Sequence, residues 1–160
     1  MFVQPRAEHE WLAQMVGHWE YESECSMGPG QPPQLMHGRL DARLVGGLWL
    51  ISEGSGSTPD GTPMSYIVTV GFDTTKGHYV GSFLASCMDY LWSYEGRRDE
   101  SGQRLPLHTR GPNMLKPGEL CPYQDVIEVV GPNEHHLTSL LLTDSGEWMP
   151  FLKTIHRRVA

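Results

Sequence analysis

The chain has 160 residues, a length that fits one domain and hides roughly 70% of its unfolded surface on folding. With 39% hydrophobic and 19% charged residues, and with five tryptophans, six tyrosines and four phenylalanines, the composition is globular and excludes extended disorder. Nineteen acidic against twelve basic residues leave a net charge of −7, which argues against nucleic acid as a partner, and the absence of any long apolar run argues against a membrane span or an export signal.

Residues 8 to 15 place Trp11, Leu12 and Met15 on one side of a short helix, with Glu8, His9, Glu10 and Gln14 mostly on the other. Beyond it the helical period disappears. Alternating segments predict strands at about 17–26, 34–44, 48–56, 64–73, 77–87, 90–98, 104–110, 121–130, 135–143 and 147–157. Between them stand turn clusters such as "GPGQPP", "VGG", "STPDGTP", "DTTKG" and "TDSGE", whose residue types supply positive φ, fixed φ or local side-chain capping. These connections are too short for crossover helices, so consecutive strands are expected to pair antiparallel. One helix cannot cover so long a sheet, and closure hides both its apolar face and its edges. The expectation is all-β: one domain over residues 1–160, a single up-and-down antiparallel β-barrel of about ten strands with one short N-terminal helix.

The alternation also predicts an inner face. Met36, Leu40, Ala42 and Leu44 share one side of the second strand, and Tyr66, Val68, Val70 and Phe72 form a similar row in the fourth. Tyr79, Phe83, Ala85 and Cys87 are the expected inner row of the fifth strand, and Trp92 with Tyr94 puts aromatics on one face of the sixth. If Trp49 and Ile51 point inward, Glu53 does too, and a carboxylate among aromatics has its charged form disfavoured. A bulge at Gly46 and Gly47 leaves that phase open. The expected ligand-lining set is Tyr21, Glu53, Tyr66, Tyr79, Phe83, Trp92 and Tyr94.

Gly17, His18 and Trp19 form a Gly-x-Trp at the start of the first strand, and "IHRRV" places Arg157 and Arg158 at the end of the last. This pair of features resembles the calycin superfamily of lipocalins and fatty-acid-binding proteins. The resemblance implies a tryptophan packed across the closed end of the barrel with an arginine over it, an arrangement in which guanidinium stacks on indole. Met149, Phe151 and Ile155 share a phase with Arg157, which favours Arg157 over Arg158 as Trp19's partner in the plug. The segments "VGHWEYESE", "VGFDTTKGHYVGSFLAS", "LWSYEGRRDESGQRLPL" and "YQDVIEVV" are further similar, in order and spacing, to a bacterial lipocalin-like family known only as a domain of unknown function. That resemblance spans about Leu12 to Arg158 and implies a fold with no established reaction. Haem-binding barrels carry a longer glycine pattern after the first tryptophan where this chain has "WEYESE", so haem is not the expected cofactor, and none is named.

Other polar groups suggest no complete catalytic set. His135 and His136 are adjacent, so on a strand they face opposite sides, and both they and His9 are expected at solvated surfaces. His108 and His156 are placed at barrel ends. Cys25, Cys87 and Cys121 are odd in number and lack a CxxC pair, which fits a reducing cytoplasm, with Cys25 and Cys87 expected inward. The leading functional expectation is binding of a small apolar or amphipathic molecule in the aromatic-lined cavity. A different class is an enzyme using Glu53 or a mouth histidine as general base; a third is a filled barrel serving as an interaction module through an exposed strand or the "GPNMLKPGELCP" loop. A homodimer is the common prior for oligomeric state.

Overall fold

The computed structural model describes residues 2–26 and 28–159. Helix α1 (Ala7–Leu12) runs into a 3₁₀ turn at Ala13–Met15. Ten strands follow: β1 (Gly17–Cys25), β2 (Gln34–Val45), β3 (Trp49–Ser57), β4 (Pro63–Asp73), β5 (His78–Ala85), β6 (Trp92–Gly96), β7 (Arg104–Pro112), β8 (Leu120–Gly131), β9 (Glu134–Leu142) and β10 (Trp148–Arg158). Each pairs antiparallel with the next, and β1 pairs with β10 from Trp19↔Arg158 to Cys25↔Leu152, closing the barrel. The predicted class, strand count and single short helix are therefore the observed ones; the largest departure is β6, shorter than the segment 90–98.

The connections alternate between two ends. The β2–β3, β4–β5, β6–β7 and β8–β9 turns share one end with α1, and the remaining loops ring the other. At the first end Trp11, Leu12 and Met15 are buried in the main core with Val70, Tyr79, Leu105 and Val129. Burial of each large apolar side chain contributes about 1.5–3 kcal/mol, so these three residues hold the short helix in place although its length alone would not. The Tyr79 hydroxyl donates to the Glu8 carbonyl at 2.7 Å, and the Arg98 guanidinium lies 5.4 Å from the Trp11 ring.

His9, expected on a solvated face, is 2% exposed. Its Nδ1 accepts from the Arg6 backbone N–H at 2.9 Å, and its Nε2 therefore carries the proton that reaches the Phe72 carbonyl at 3.0 Å. It caps the helix start and ties it to β4. A six-residue helix makes fewer than two turns, so amphipathic spacing has little power to tell wall from water.

Trp19 is 1% exposed and its indole N–H donates to the Met15 carbonyl at 3.0 Å. The arginine over it is Arg158, 4.2 Å from the ring centroid, and not Arg157. Arg158 also donates to the carbonyls of Val16 at 2.6 Å, Gln14 at 3.0 Å and Pro132 at 3.0 Å. The register shift between Pro150 and Leu152 explains the correction: Met149 pairs with the inward Leu141, but after the extra residue Phe151 the inward positions become Leu152, Thr154, His156 and Arg158. Arg157 faces outward between Glu22 at 3.5 Å and Glu134 at 3.9 Å.

Candidate functional site

Three of the inward aromatic side chains lie against glycine. Tyr66 pairs directly with Gly54, and a side chain at Gly54 would collide with the tyrosine ring. Tyr21 pairs with Gly38, which pairs with Gly56, and a Cβ on either glycine would meet the Tyr21 phenol. Trp92 on β6 covers Gly111 on β7 in the same way. Rings laid on glycines hug the wall of the barrel instead of crossing it. Around them Tyr21–Tyr66 and Tyr66–Phe83 centroids are 6.1 and 6.0 Å apart, and Trp92, Tyr123 and Phe151 continue the lining at 5.0 and 5.9 Å. All of these belong to the half of the barrel away from α1.

Beneath this lining sits a polar group. Asp125, in the middle of β8, pairs with Ser139 on β9 and Leu107 on β7. Ser139 Oγ donates to Asp125 Oδ1 at 2.6 Å, and the Tyr94 hydroxyl donates to Oδ2. Burial raises the Asp125 pKa above the usual carboxylate range against the lowering effect of those two donors, and it also pushes Tyr94 well above the ordinary tyrosine value, helped by Asp125 itself. Thr109 lies on the same inner face of β7, two residues beyond Leu107. Its hydroxyl is buried with no hydrogen-bond partner among the described residues.

A second cluster lies nearer the plug. His135 and His156 stack at 4.2 Å with planes 8° apart, His135 meets the Trp19 ring at 4.4 Å, and Tyr21 lies 6.0 Å from His156. Burial, followed for His135 by the charges of neighbouring His156 and Arg158, lowers the two imidazoles to about 2 and about 4 respectively. Both are neutral at physiological pH. His135 was expected at the surface; it is 6% exposed, because it pairs with the inward His156.

Of the expected lining residues, Tyr21, Tyr66, Phe83, Trp92 and Tyr94 face the interior. Tyr79 also faces inward, but its hydroxyl is committed to α1, which makes it part of the plug. Glu53 is a correction: it points outward, 55% exposed, with Arg43 Nη1 3.3 Å away. Leu44, an inward residue, pairs with Leu50, so Leu50, Ser52 and Gly54 face in and Trp49, Ile51 and Glu53 face out. Among the described residues the hydrogen-bond and ion-pair partner of Glu53 is Arg43, itself well exposed, which gives Glu53 no partner for general-base work. Cys87 is exposed in the β5–β6 loop, contrary to expectation, Cys25 is half-buried and Cys121 buried. Asp125, Ser139 and Tyr123 went unassigned in the sequence, although "YQDVIEVV" carries Asp125 in the same alternation as Tyr123, Ile127 and Val129.

The outer wall has two open grooves of about 330 and 350 Å³, one flanked by Glu20, Glu22, Arg39 and Arg157, the other by Glu24, Pro150, Phe151 and Lys153. Both are bordered by exposed charged chains, and neither reaches Asp125. Among the described residues no group of three or more His, Cys, Asp or Glu side chains is arranged to hold a metal ion. Among the described residues no helix is long and apolar enough to cross a membrane.

A family described as "Protein of unknown function (DUF1579)" matches residues 4–158. The chain belongs to the DUF1579 family. No curated protein matches it. Among solved structures, the DUF1579 barrel is similar to Rv2717c from M. tuberculosis, at 12% identity and a TM-score of 0.70, over 98% of this chain and 100% of that one. It is also similar to a fluorescence-activating β-barrel designed de novo (11% identity, TM-score 0.51, 92% and 96% of the two chains). A further designed barrel, EF1p2_mFAP2b bound to DFHBI, matches at 10% identity and a TM-score of 0.52, over 96% and 100% of the chains. At these identities the likeness is one of fold.

Proposed function

We propose that this DUF1579 protein binds a small, largely apolar molecule inside the barrel, in the half lined by Tyr21, Tyr66, Phe83, Trp92 and Tyr123. The observation that carries this reading is the set of aromatic rings seated on Gly54, Gly111 and the Gly38–Gly56 pair, which keeps bulky side chains against the wall around a central polar group. Tyr66, Val68, Phe83, Trp92 and Asp125 face inward and yet are only half-buried, which supports free space beside them. Sites of this kind combine apolar walls with a few placed polar groups and enclose about 300–1,000 Å³. Affinity comes from apolar surface removed from water, and orientation from Asp125, Ser139 and Tyr94. A designed barrel of the same fold is bound to DFHBI, which supports the fold's capacity for a ligand of that size. The Trp19–Arg158 stack at the closed end is compatible with kinship to the calycins.

The test is titration of intrinsic tryptophan fluorescence with flavonoids, sterols and fatty acids. Trp92 lines the proposed site, whereas Trp11 and Trp19 are in the plug and Trp49 and Trp148 are exposed. A saturable change with at least one compound, strongly reduced in Trp92→Phe, is the expected result. An unchanged spectrum across the whole panel overturns the reading.

A further inference from the structure

We propose that Asp125 anchors a basic nitrogen, so that the molecule taken up by the barrel is an apolar, ring-sized compound carrying a protonatable amine. This rests on the interior-binding reading above and adds the chemical class of the ligand.

An ionised carboxylate accepts about four hydrogen bonds. Asp125 receives two, both from neutral hydroxyls, Tyr94 and Ser139. A carboxylate charge in the barrel interior is costly without a counter-charge, and no described residue forms an ion pair with this one. Arg158 is committed to Trp19 and three backbone carbonyls, and His135 and His156 are held neutral by their own packing.

The space adjoining Asp125 therefore favours a positive group from outside. Three further features agree. Tyr66 and Trp92, laid flat against the wall on Gly54 and Gly111, turn their other ring face to the interior, and such a face stabilises an ammonium by cation–π attraction. The Thr109 hydroxyl, buried and unpartnered, is an acceptor on the same inner face. The chain's net charge of −7 raises the local concentration of cations over anions. A ligand carboxylate at this position would instead face Asp125 with like charge.

The experiment uses three probes of one shape: 1-naphthylmethylamine, 1-naphthalenemethanol and 1-naphthoic acid, titrated calorimetrically into the wild-type protein and Asp125→Asn. In wild type the amine is expected to bind about tenfold tighter than the alcohol, with the acid weakest, as a charge-assisted bond in a secluded site requires. In Asp125→Asn the amine's advantage over the alcohol falls to about twofold or less while the alcohol's own affinity is kept. Asp125→Leu, which removes the carboxyl group altogether, repeats the comparison should Asp125→Asn fail to fold as judged by circular dichroism. Two outcomes overturn the assignment and leave interior binding standing: the alcohol binds wild type with no amine preference, or the preference survives in the Asp125 variants. Failure of all three probes to bind wild type removes the interior-binding reading and this inference together.

Discussion

Arg157 and Arg158 are neighbours whose side chains meet different worlds. Arg158 lies on the Trp19 ring and bonds three carbonyls from two segments, so each removal leaves a carbonyl unpaired and an indole face uncovered. Arg158→Gln is expected to cost about 2–4 kcal/mol in urea unfolding, whereas Arg157→Gln, whose partners Glu22 and Glu134 are solvent-screened, should stay within about 0.5 kcal/mol. The alternation around Ile155 puts Arg157 on the inner phase only if β10 runs without interruption, and nothing local in "EWMPFLKT" announces that Phe151 is an extra residue. The glycines offer a parallel contrast. Gly54→Ala drives a methyl into the Tyr66 ring and should destabilise by about 1–3 kcal/mol. Gly131→Ala, with nothing within 4 Å of the added carbon, should change stability by less than about 0.5 kcal/mol. Equal effects at the two sites, measured by thermal unfolding, would show that Tyr66 does not rest on Gly54.

At the scale of elements, the plug is the part whose stability depends most on tertiary packing. Leu12 is fully buried at the base of α1, and Leu12→Ala should cost about 2–5 kcal/mol through lost transfer energy and the cavity left behind. Hydrogen exchange should show that loss first in residues 7–15, because a six-residue helix has no independent stability. Strand existence was legible because turn residues punctuate the chain at short intervals, and antiparallel order followed from connection length. The phase of β3 was legible in principle as well. A hairpin pairs residues symmetrically about its turn, Gly46 and Gly47 sit at φ of 63° and 71°, and an inward Leu44 forces its partner Leu50 inward. Taken without its β2 partner, the β3 segment carries no signal of phase, and Glu53 follows Trp49 and Ile51 to whichever face they take. Asp125 and Ser139 were harder to find, since their meaning depends on Tyr94 from β6, brought beside β8 across β7 by the curvature of the closed sheet.

The whole molecule carries a pH dependence that follows from its interior. In the unfolded chain His135 and His156 titrate near 6.5, whereas the folded barrel holds them at about 2 and about 4, chiefly through burial. Above 6.5 both are neutral folded or unfolded, and their full contribution to stability is present. As pH falls below 6.5 the unfolded chain takes up protons that the barrel refuses, so stability drops down to about 4 for His156 and about 2 for His135. Each fully titrating group contributes a slope of about 1.4 kcal/mol per pH unit, so between about pH 6 and pH 4 the pair should remove on the order of 3–5 kcal/mol. Asp125 acts in the opposite sense: its raised pKa means that the folded state binds its proton first, which returns part of the loss at the acid end. Arg158, over the Trp19 ring beside the pair, adds to the resistance against protonation of His135, as does the neighbouring His156 itself. Urea midpoints should therefore be level from pH 7.5 to about pH 6.5 and fall steadily from there to pH 4 in wild type, fall about half as steeply in His156→Asn, and be nearly flat in the double variant with His135→Asn. A wild-type midpoint independent of pH across that interval would mean that the stacked pair is solvated, and that the barrel is open where the plug is drawn closed.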